Sequence, residues 1–196
     1  DGKPWGACPR NFLERMIERA RAQGVELRAA FENEFTLATK EPEGYAPLDR
    51  SPCFSTIGMD SAAPVMMEII EALLAQGVIP EQYYAELGPG QQELPVRFAD
   101  GLRAADNQIT VRETARGVAW KHGLLASFAP KPFPDQAGNG SHIHLSLWRT
   151  RDRKNHFHDP KGRFGLSEAC FHFIGGVMAH LPRTGRADSA QRKLLP

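Results

Sequence analysis

The residues best suited to chemistry in this 196-residue chain are four glutamates and two histidines on three short extended stretches. The stretch 138–148 reads as a Gly-rich turn followed by a strand. Alternate residues of a strand share a face, so the sequence predicts a polar face over a buried apolar face. The two predicted faces are His142, His144 and Ser146 against Ile143, Leu145 and Leu147.

The carboxylates follow the same alternation. Glu32 and Glu34 share one strand face, and Glu86 and Glu93 flank the Gly-Pro-Gly turn at 88–90. A hairpin symmetric about that turn would make Glu86 and Glu93 a cross-strand pair, with Cβ atoms roughly 5 Å apart. Like charges so close destabilise a sheet unless a cation lies between them. The pattern therefore predicts two or more divalent ions, and its oxygen-rich ligands favour Mg²⁺ or Mn²⁺ over tetrahedral zinc.

Composition narrows the class of protein. A chain with 41% hydrophobic and 24% charged residues is typical of a single soluble domain. The net charge of +1 argues against a nucleic-acid partner, and no apolar run is long enough for a membrane span. Three scattered cysteines, with no signal peptide at the start of the sequence, predict a cytoplasmic protein with reduced thiols.

Periodicity and turn residues predict the elements that position these side chains. We expect an α+β fold, with flanking helices on a mainly antiparallel sheet. The predicted helices are 9–23, 64–76, 100–122 and 166–181, and the predicted strands or hairpins are 25–37, 78–96, 124–128 and the stretch after 140. Residues 39–52 are predicted to be a surface loop, 54–59 an extended piece, and 149–165 a second loop. Asp60 or Ser61 is the predicted cap of the second helix, whose expected buried stripe is Met67, Ile70, Leu73 and Leu74.

Five motifs, in this order and at this spacing, together resemble the catalytic domain of the glutamine synthetase family. They are Phe31-Glu32-Asn33-Glu34-Phe35, Glu86 to Glu93 around the Gly-Pro-Gly turn, Ala104-Ala105-Asp106-Asn107, Phe128 to Pro132, and Gly138 to Leu147. The resemblance covers roughly residues 11–181. Each motif alone is weak, but five in order are specific.

The resemblance implies an ATP-dependent ligase, in which the γ-carboxylate of glutamate is phosphorylated and ammonia or an amine then displaces phosphate. By this resemblance Glu34, Glu86 and Glu93 match the ligands of one metal ion, and Glu32 and His142 match those of a second. His144 and Ser146 match positions that contact the nucleotide, and Gly138 matches a position beside the substrate glutamate. The family also implies a homo-oligomer that acts on small molecules.

The sequence departs from the family in three ways. Ala137 stands where an Asn is common, and Tyr83-Tyr84-Ala85 stands where a His pair is common. Both differences favour an amine larger than ammonia as the acceptor. The third is length: we expect a partial catalytic domain over 1–182 and a divergent, disordered tail over 183–196.

We expect a partial catalytic domain to have low activity and to self-associate through the surfaces that it leaves exposed. Two alternatives stay open at this point. One is a catalytically silent remnant that binds metal or nucleotide and acts by association. The other is an unrelated cupin-like enzyme with a His-x-His metal site.

Overall fold

The computed structural model describes residues 4–191, with side chains described up to residue 181. The helices are α1 (Pro9–Ala22), α2 (Thr56–Ala75), α3 (Gly101–Lys121) and α4 (Glu168–Gln191), with a 3₁₀ turn at Arg163–Gly165. The strands are β1 (Val25–Glu41), β2 (Gly44–Pro47), β3 (Tyr84–Ala85), β4 (Gln91–Pro95), β5 (Ala99–Asp100), β6 (Leu124–Ser127) and β7 (Ile143–Arg149).

The sheet is organised around β1, its longest strand. Its order is β2-β1-β4-β3, and β5, β6 and β7 also pair with β1. The pairs of β1 with β2, β4, β5 and β6 are antiparallel, as is the pair of β3 with β4. The predicted α+β class with a mainly antiparallel sheet is therefore confirmed. Such a sheet with α2 and α3 is not a cupin barrel, so that alternative is wrong.

The chain divides into two compact units. Of the described residues, the first comprises 4–17 and 28–145, and the second comprises 18–27 and 146–191. The carboxylates and both histidines of the predicted site belong to the first unit, whereas Ser146 belongs to the second. Among the described residues, no helix is long and apolar enough to cross a bilayer.

Alternation along β1 separates the core of the first unit from its polar face. Phe35 and Leu37 are fully buried in a cluster with apolar side chains of α2 and α3. Glu32, Glu34 and Thr36 alternate with them and so lie on the opposite face of the strand. This two-residue period places the acidic side chains over a rigid apolar layer.

Helix α2 corrects three predictions. It begins at Thr56, so 54–59 is not extended, and its cap is Ser55 rather than Asp60 or Ser61. Its buried residues include Ala62, Val65, Met66, Ile69 and Leu73, whereas Met67 and Leu74 are each 52% exposed. The helix is apolar on most of its circumference, so periodicity alone did not decide which side faces the core.

The position of the cap can be tested by stability. The Ser55 hydroxyl accepts a hydrogen bond from the Ile57 amide at 3.2 Å, whereas Ser61 bonds to the Ile57 carbonyl inside the helix. We expect Ser55→Ala to lower the free energy of unfolding by about 1 kcal/mol. Ser61→Ala should be neutral or slightly stabilising, because alanine has the higher helix propensity. Urea unfolding of both variants checks this, and equal losses would contradict the assignment.

The predicted loop over 39–52 is wrong in its first part. Strand β1 continues to Glu41 and forms a tight hairpin with β2, in which Glu41 faces Gly44. Leu48 returns to β1 through its amide, which donates to the Leu37 carbonyl at 2.9 Å. The proline and glycine residues in this stretch mark a turn between strands rather than a long loop.

The apolar side of β7 is also not where the sequence predicted it. Ile143 is 52% exposed and Leu145 is 38% exposed, so neither lies in the core. The core beneath the sheet is filled by α2 and α3 against β1, β4 and β6. An alternating pattern shows which residues share a face, but it does not show that something covers that face.

The last helix extends further than predicted. Helix α4 runs to Gln191, beyond the predicted end at Leu181. The side chains of 182–191 and all of 192–196 lie outside the described residues. The predicted disordered tail over 183–196 and the domain boundary at 182 therefore stay predictions.

Candidate active site

One open pocket of about 440 Å³ collects most of the predicted site residues of the first unit. Strand β1 contributes Glu32 and Glu34, the β3–β4 hairpin contributes Glu86 and Glu93, and the loop before β7 contributes Gly138 and His142. The remaining lining residues are Tyr84, Leu87, Gln91, Ala137 and Gly140. The structure thus brings together all five residues predicted to bind metal.

The hairpin register differs from the predicted one. Tyr84 faces Glu93, and the Glu86 amide donates to the Gln91 carbonyl at 2.9 Å. The turn itself is closed by the Gln91 amide and the Gly88 carbonyl, so residues 87–90 form the loop that follows the last paired residue, Glu86. Because the offset is two residues, Glu86 keeps its predicted face but becomes a diagonal neighbour of Glu93. The predicted direct pairing of these glutamates is wrong, whereas their shared face is confirmed.

Glu34 is the most constrained carboxylate of the site. It is 8% exposed and pairs with Glu93 across β1 and β4. Its Oε2 accepts hydrogen bonds from the Gln91 side-chain amide at 2.6 Å and from the Gly140 backbone amide at 2.8 Å. Its Oε1 lies 3.8 Å from Nδ1 of His142. One oxygen is therefore bound to neutral protein donors, and the other faces the histidine.

Glu93 is also buried, and its surroundings are acidic. Burial raises the pKa of its carboxyl to about 7, and a hydrogen bond with Glu86 and the nearby charges of Glu32 and Glu34 act in the same direction. The Tyr84 hydroxyl opposes this rise by donating to Oε1 of Glu93 at 2.6 Å. The same burial and contact raise the pKa of the Tyr84 hydroxyl, so it stays a donor.

Glu32 binds both histidines. Nδ1 of His142 lies 2.9 Å from its Oε2, and Nε2 of His144 lies 2.7 Å from its Oε1. The His142 side chain is 73% exposed and that of His144 is 66% exposed, so both rings are open to solvent. A second pocket of about 220 Å³ is bordered by Glu32 and His144, so Glu32 lies between the two pockets.

The loop of 138–140 is held by its backbone and by Asn139. The Asn139 side-chain amide donates to the carbonyls of Ser127 and Ala129, at 3.1 and 2.9 Å, and its oxygen accepts from Thr36 at 3.1 Å. Gly138 packs so closely against the Pro130 carbonyl that a Cβ atom would clash with it. Gly138 is therefore required for packing, and its contact with a substrate stays a prediction.

Ser146 is not among the residues that line the pocket. It belongs to the second unit, where its hydroxyl accepts a hydrogen bond from the Trp148 indole N–H at 2.9 Å. Its assignment to nucleotide contact therefore stays a prediction.

The donor set suits a hard divalent cation, although the side chains do not form a ready-made cage. Four carboxylates share the pocket, and none of the described residues that line it is lysine or arginine. Within the described residues, no group of three or more His, Cys, Asp or Glu is arranged to hold a metal ion. The carboxylates are bound instead to His142, His144, Tyr84 and Gln91. Loading an ion would require these contacts to rearrange, while the chemistry of the oxygen ligands fits Mg²⁺ or Mn²⁺.

Three polar groups of the site have no role in the sequence prediction: the Gln91 amide, the Gly140 N–H and the Tyr84 hydroxyl. Gln91 and Tyr84 do carry a signal, because each lies two residues from a site glutamate on the same strand or hairpin arm and so shares its face. The Gly140 contact had no such signal, since it depends on how a distant loop closes over β1.

Comparison with known proteins agrees with this geometry. Residues 6–185 match the family described as glutamine synthetase, catalytic domain. A glutamine synthetase of Pyrococcus abyssi is 39% identical over 181 residues, which are 92% of this chain and 40% of that protein. The type-1 glutamine synthetase 1 of Dictyostelium discoideum is 37% identical over 91% of this chain and 38% of that protein. The chain therefore spans about 40% of the length of these relatives.

Solved structures support the same relationship. A glutamine synthase homolog superposes with a TM-score of 0.84 at 39% identity, over 93% of this chain and 41% of its own. GmaS in complex with ADP superposes with a TM-score of 0.85 at 33% identity, over 92% of this chain and 42% of its own. The family match, the relatives and the carboxylate pocket lead to the same conclusion: the chain belongs to the glutamine synthetase family, within its catalytic domain.

Proposed function

We propose that this chain forms the metal-binding floor of an ATP-dependent carboxylate–amine ligase. The reaction would join glutamate to ammonia or an amine through γ-glutamyl phosphate, with release of ADP and phosphate. The observation that carries the proposal is the convergence of four glutamates and His142 on one pocket, whose described lining residues include no lysine or arginine. Because the chain spans about 40% of its relatives, the complete reaction belongs to the longer type of protein.

Two divalent ions, Mg²⁺ or Mn²⁺, would supply charge neutralisation for phosphoryl transfer when bound. Glu34, Glu86 and Glu93 would hold one ion on the glutamate side of the pocket. Glu32 and His142 would hold the other beside the ATP phosphates. The place of Glu32 between the two pockets supports this division, since a group bound at Glu32 touches both.

The nucleotide is assigned to the His144 side of the first unit. His144 borders the smaller pocket and is hydrogen-bonded to Glu32, so its ring would bring a polar group close to bound phosphates. The similarity to GmaS, which has been seen with ADP, supports a nucleotide site. Ser146 and Gly138 keep the roles implied by the family, in nucleotide and glutamate contact respectively.

An amine larger than ammonia is the acceptor that the pocket favours. Leu87 and Ala137 add apolar surface to its lining, and Tyr84 stacks edge-to-face on Phe54 with ring centroids 5.4 Å apart. An apolar wall suits the carbon chain of an amine better than it suits ammonia. A homo-oligomeric, cytoplasmic protein without nucleic-acid or membrane partners remains the accompanying prediction.

A metal-binding remnant without turnover is the second candidate. It is favoured by the bonds that tie the carboxylates to protein donors. Phosphate release from ATP, with glutamate and ammonia or a primary amine, separates the two candidates. Metal-dependent release that is lost in Glu34→Gln would establish the ligase. Metal binding without release would favour the remnant.

A further inference from the structure

Gln91 is the best-satisfied polar side chain of the pocket. It is the first residue of β4 and is 2% exposed. Its Oε1 accepts from the Gly88 amide at 2.7 Å, and its Nε2 donates to Glu34 Oε2 at 2.6 Å and to the Gly138 carbonyl at 3.1 Å. The donor from Gly88 fixes which end of the amide is oxygen, so the NH₂ group must face the carboxylate.

These bonds join three separate parts of the site. Glu34 lies on β1, Gly88 lies in the loop of the hairpin, and Gly138 lies in the loop before β7. A single buried amide therefore sets the spacing between the carboxylate of β1 and two segments that border the pocket. None of these segments is next to another in the sequence.

The donor is neutral, and this affects what the carboxylate can bind. A lysine or arginine in the same place would cancel the charge of Glu34 and compete with a cation. An amide instead holds one oxygen and leaves the negative charge in place. Together with the Gly140 N–H it occupies Oε2, so that Oε1 is left toward His142.

We propose that Gln91 is a positioning residue, which orients the Glu34 carboxylate toward the pocket and thereby sets its affinity for a divalent cation. The inference rests on the proposed function, because it assumes that Glu34 is a metal ligand. Hydrogen bonds of this kind to a metal-binding carboxylate typically change metal affinity by about 10- to 100-fold.

The neighbouring Gln92 provides a matched control. It is 0% exposed and lies in the same strand, but its side chain points to the other face, where its oxygen accepts from the Tyr83 hydroxyl at 2.9 Å. Gln91→Met and Gln92→Met therefore remove the same buried amide, in one case next to Glu34 and in the other away from it. Any general loss from disturbing β4 should appear in both variants.

The experiment is calorimetric titration of Mn²⁺ into wild type, both variants, Glu34→Gln, and Gln91→Met combined with Glu34→Gln. We expect Gln91→Met to weaken binding about tenfold and Gln92→Met to stay within threefold of wild type. In the Glu34→Gln background the Gln91 change should have no further effect, because it acts through that carboxylate. Equal losses in Gln91→Met and Gln92→Met, or unchanged binding in Gln91→Met, would overturn the proposal.

A metal-free measurement keeps the inference separate from the proposed function. In ¹H–¹⁵N spectra, the side-chain amide signal of Gln91 should shift on Glu34→Gln and stay in place on Glu113→Gln, which changes an exposed residue of α3. No shift on Glu34→Gln would overturn the positioning role whether or not metal binds. If wild type binds no Mn²⁺ but the Gln91 signal still shifts on Glu34→Gln, the proposed function is rejected and the contact between Gln91 and Glu34 is retained. If Gln91→Met does not fold, Gln91→Asn retains the amide but shortens its reach, and the same outcomes apply.

Discussion

Glutamine in place of Glu34 or Glu93 is expected to lower the affinity for Mn²⁺ by at least about 100-fold, because the loss of a direct ligand should exceed the effect of losing its supporting hydrogen bonds. Both side chains line the pocket, face each other across β1 and β4, and are almost fully buried. The substitution keeps the size of the side chain and removes its charge. Calorimetric titration of Mn²⁺ into the purified chain measures the effect.

Glu113→Gln is the control for this titration. Its side chain is 69% exposed on α3, where it pairs with Arg116. We expect its Mn²⁺ affinity to equal that of wild type, because Glu113 does not line the pocket and its exposed charge is screened by salt. Equal affinities for wild type, Glu34→Gln and Glu93→Gln would show that Mn²⁺ binds elsewhere, and absent binding in wild type would show that the carboxylate floor does not assemble.

The second large effect is an unusual dependence of stability on pH. The pKa of Glu93 is raised to about 7 by its burial, whereas the pKa of a glutamate in the unfolded chain lies near its ordinary value of 4.5. Between these values the folded state holds a proton that the unfolded state has lost. Stability should therefore fall as pH rises from about 4.5 to about 7, and should be constant above that range.

The measurement is urea unfolding in chelator at pH 5.5, 6.5, 7.5 and 8.5, for wild type and Glu93→Gln. Glutamine has no proton to lose and can still accept from Tyr84, so the variant should lack this slope. The quantity to compare is the free energy of unfolding of Glu93→Gln minus that of wild type. We expect this difference to be larger at pH 8.5 than at pH 5.5 by on the order of 1–2 kcal/mol. This is less than the full pKa shift would give, because the pocket is open to water. The difference between the two proteins removes the contribution of the histidines.

Added Mn²⁺ should reverse the order of stability of wild type and Glu93→Gln at pH 8.5. A bound cation replaces the proton as the neutralising charge, so wild type should gain stability at pH 8.5 while Glu93→Gln should gain little. In chelator, by contrast, a wild-type protein whose stability rises from pH 5.5 to 8.5 relative to Glu93→Gln would contradict the burial of an uncompensated carboxylate.

The local patterns in the sequence predicted the polar face of the site correctly. The two-residue period of a strand is fixed by backbone geometry, so Glu32 and Glu34 had to share a face wherever β1 was placed. Glu86 and Glu93 kept their common face despite the different register, because the register shift is even. Helix α3 was also predicted closely, since Asp100 is a strong cap and His122 directly precedes a glycine.

Burial and partners were decided by the tertiary structure. The apolar face of β7 and the side of α2 that faces the core both depend on which neighbours cover them, and periodicity carries no information about a neighbour. The hairpin loop likewise depends on hydrogen bonds that the local pattern does not show. Gln91 bonds to Gly88 inside the turn and to Glu34, which is distant in the sequence.

The sequence by itself therefore determined which residues can act together in this protein: four glutamates and two histidines on the strands of an antiparallel sheet or directly beside them, at the spacing of the glutamine synthetase family. The tertiary structure decided how they meet. Glu93 accepts a hydrogen bond from Tyr84, and Glu34 accepts hydrogen bonds from Gln91 and Gly140. Glu32 borders both pockets. The physical reason is that the side on which a residue points is set by its own backbone, whereas the direction and charge state of a buried carboxylate are set by donors that folding brings to it from elsewhere in the chain.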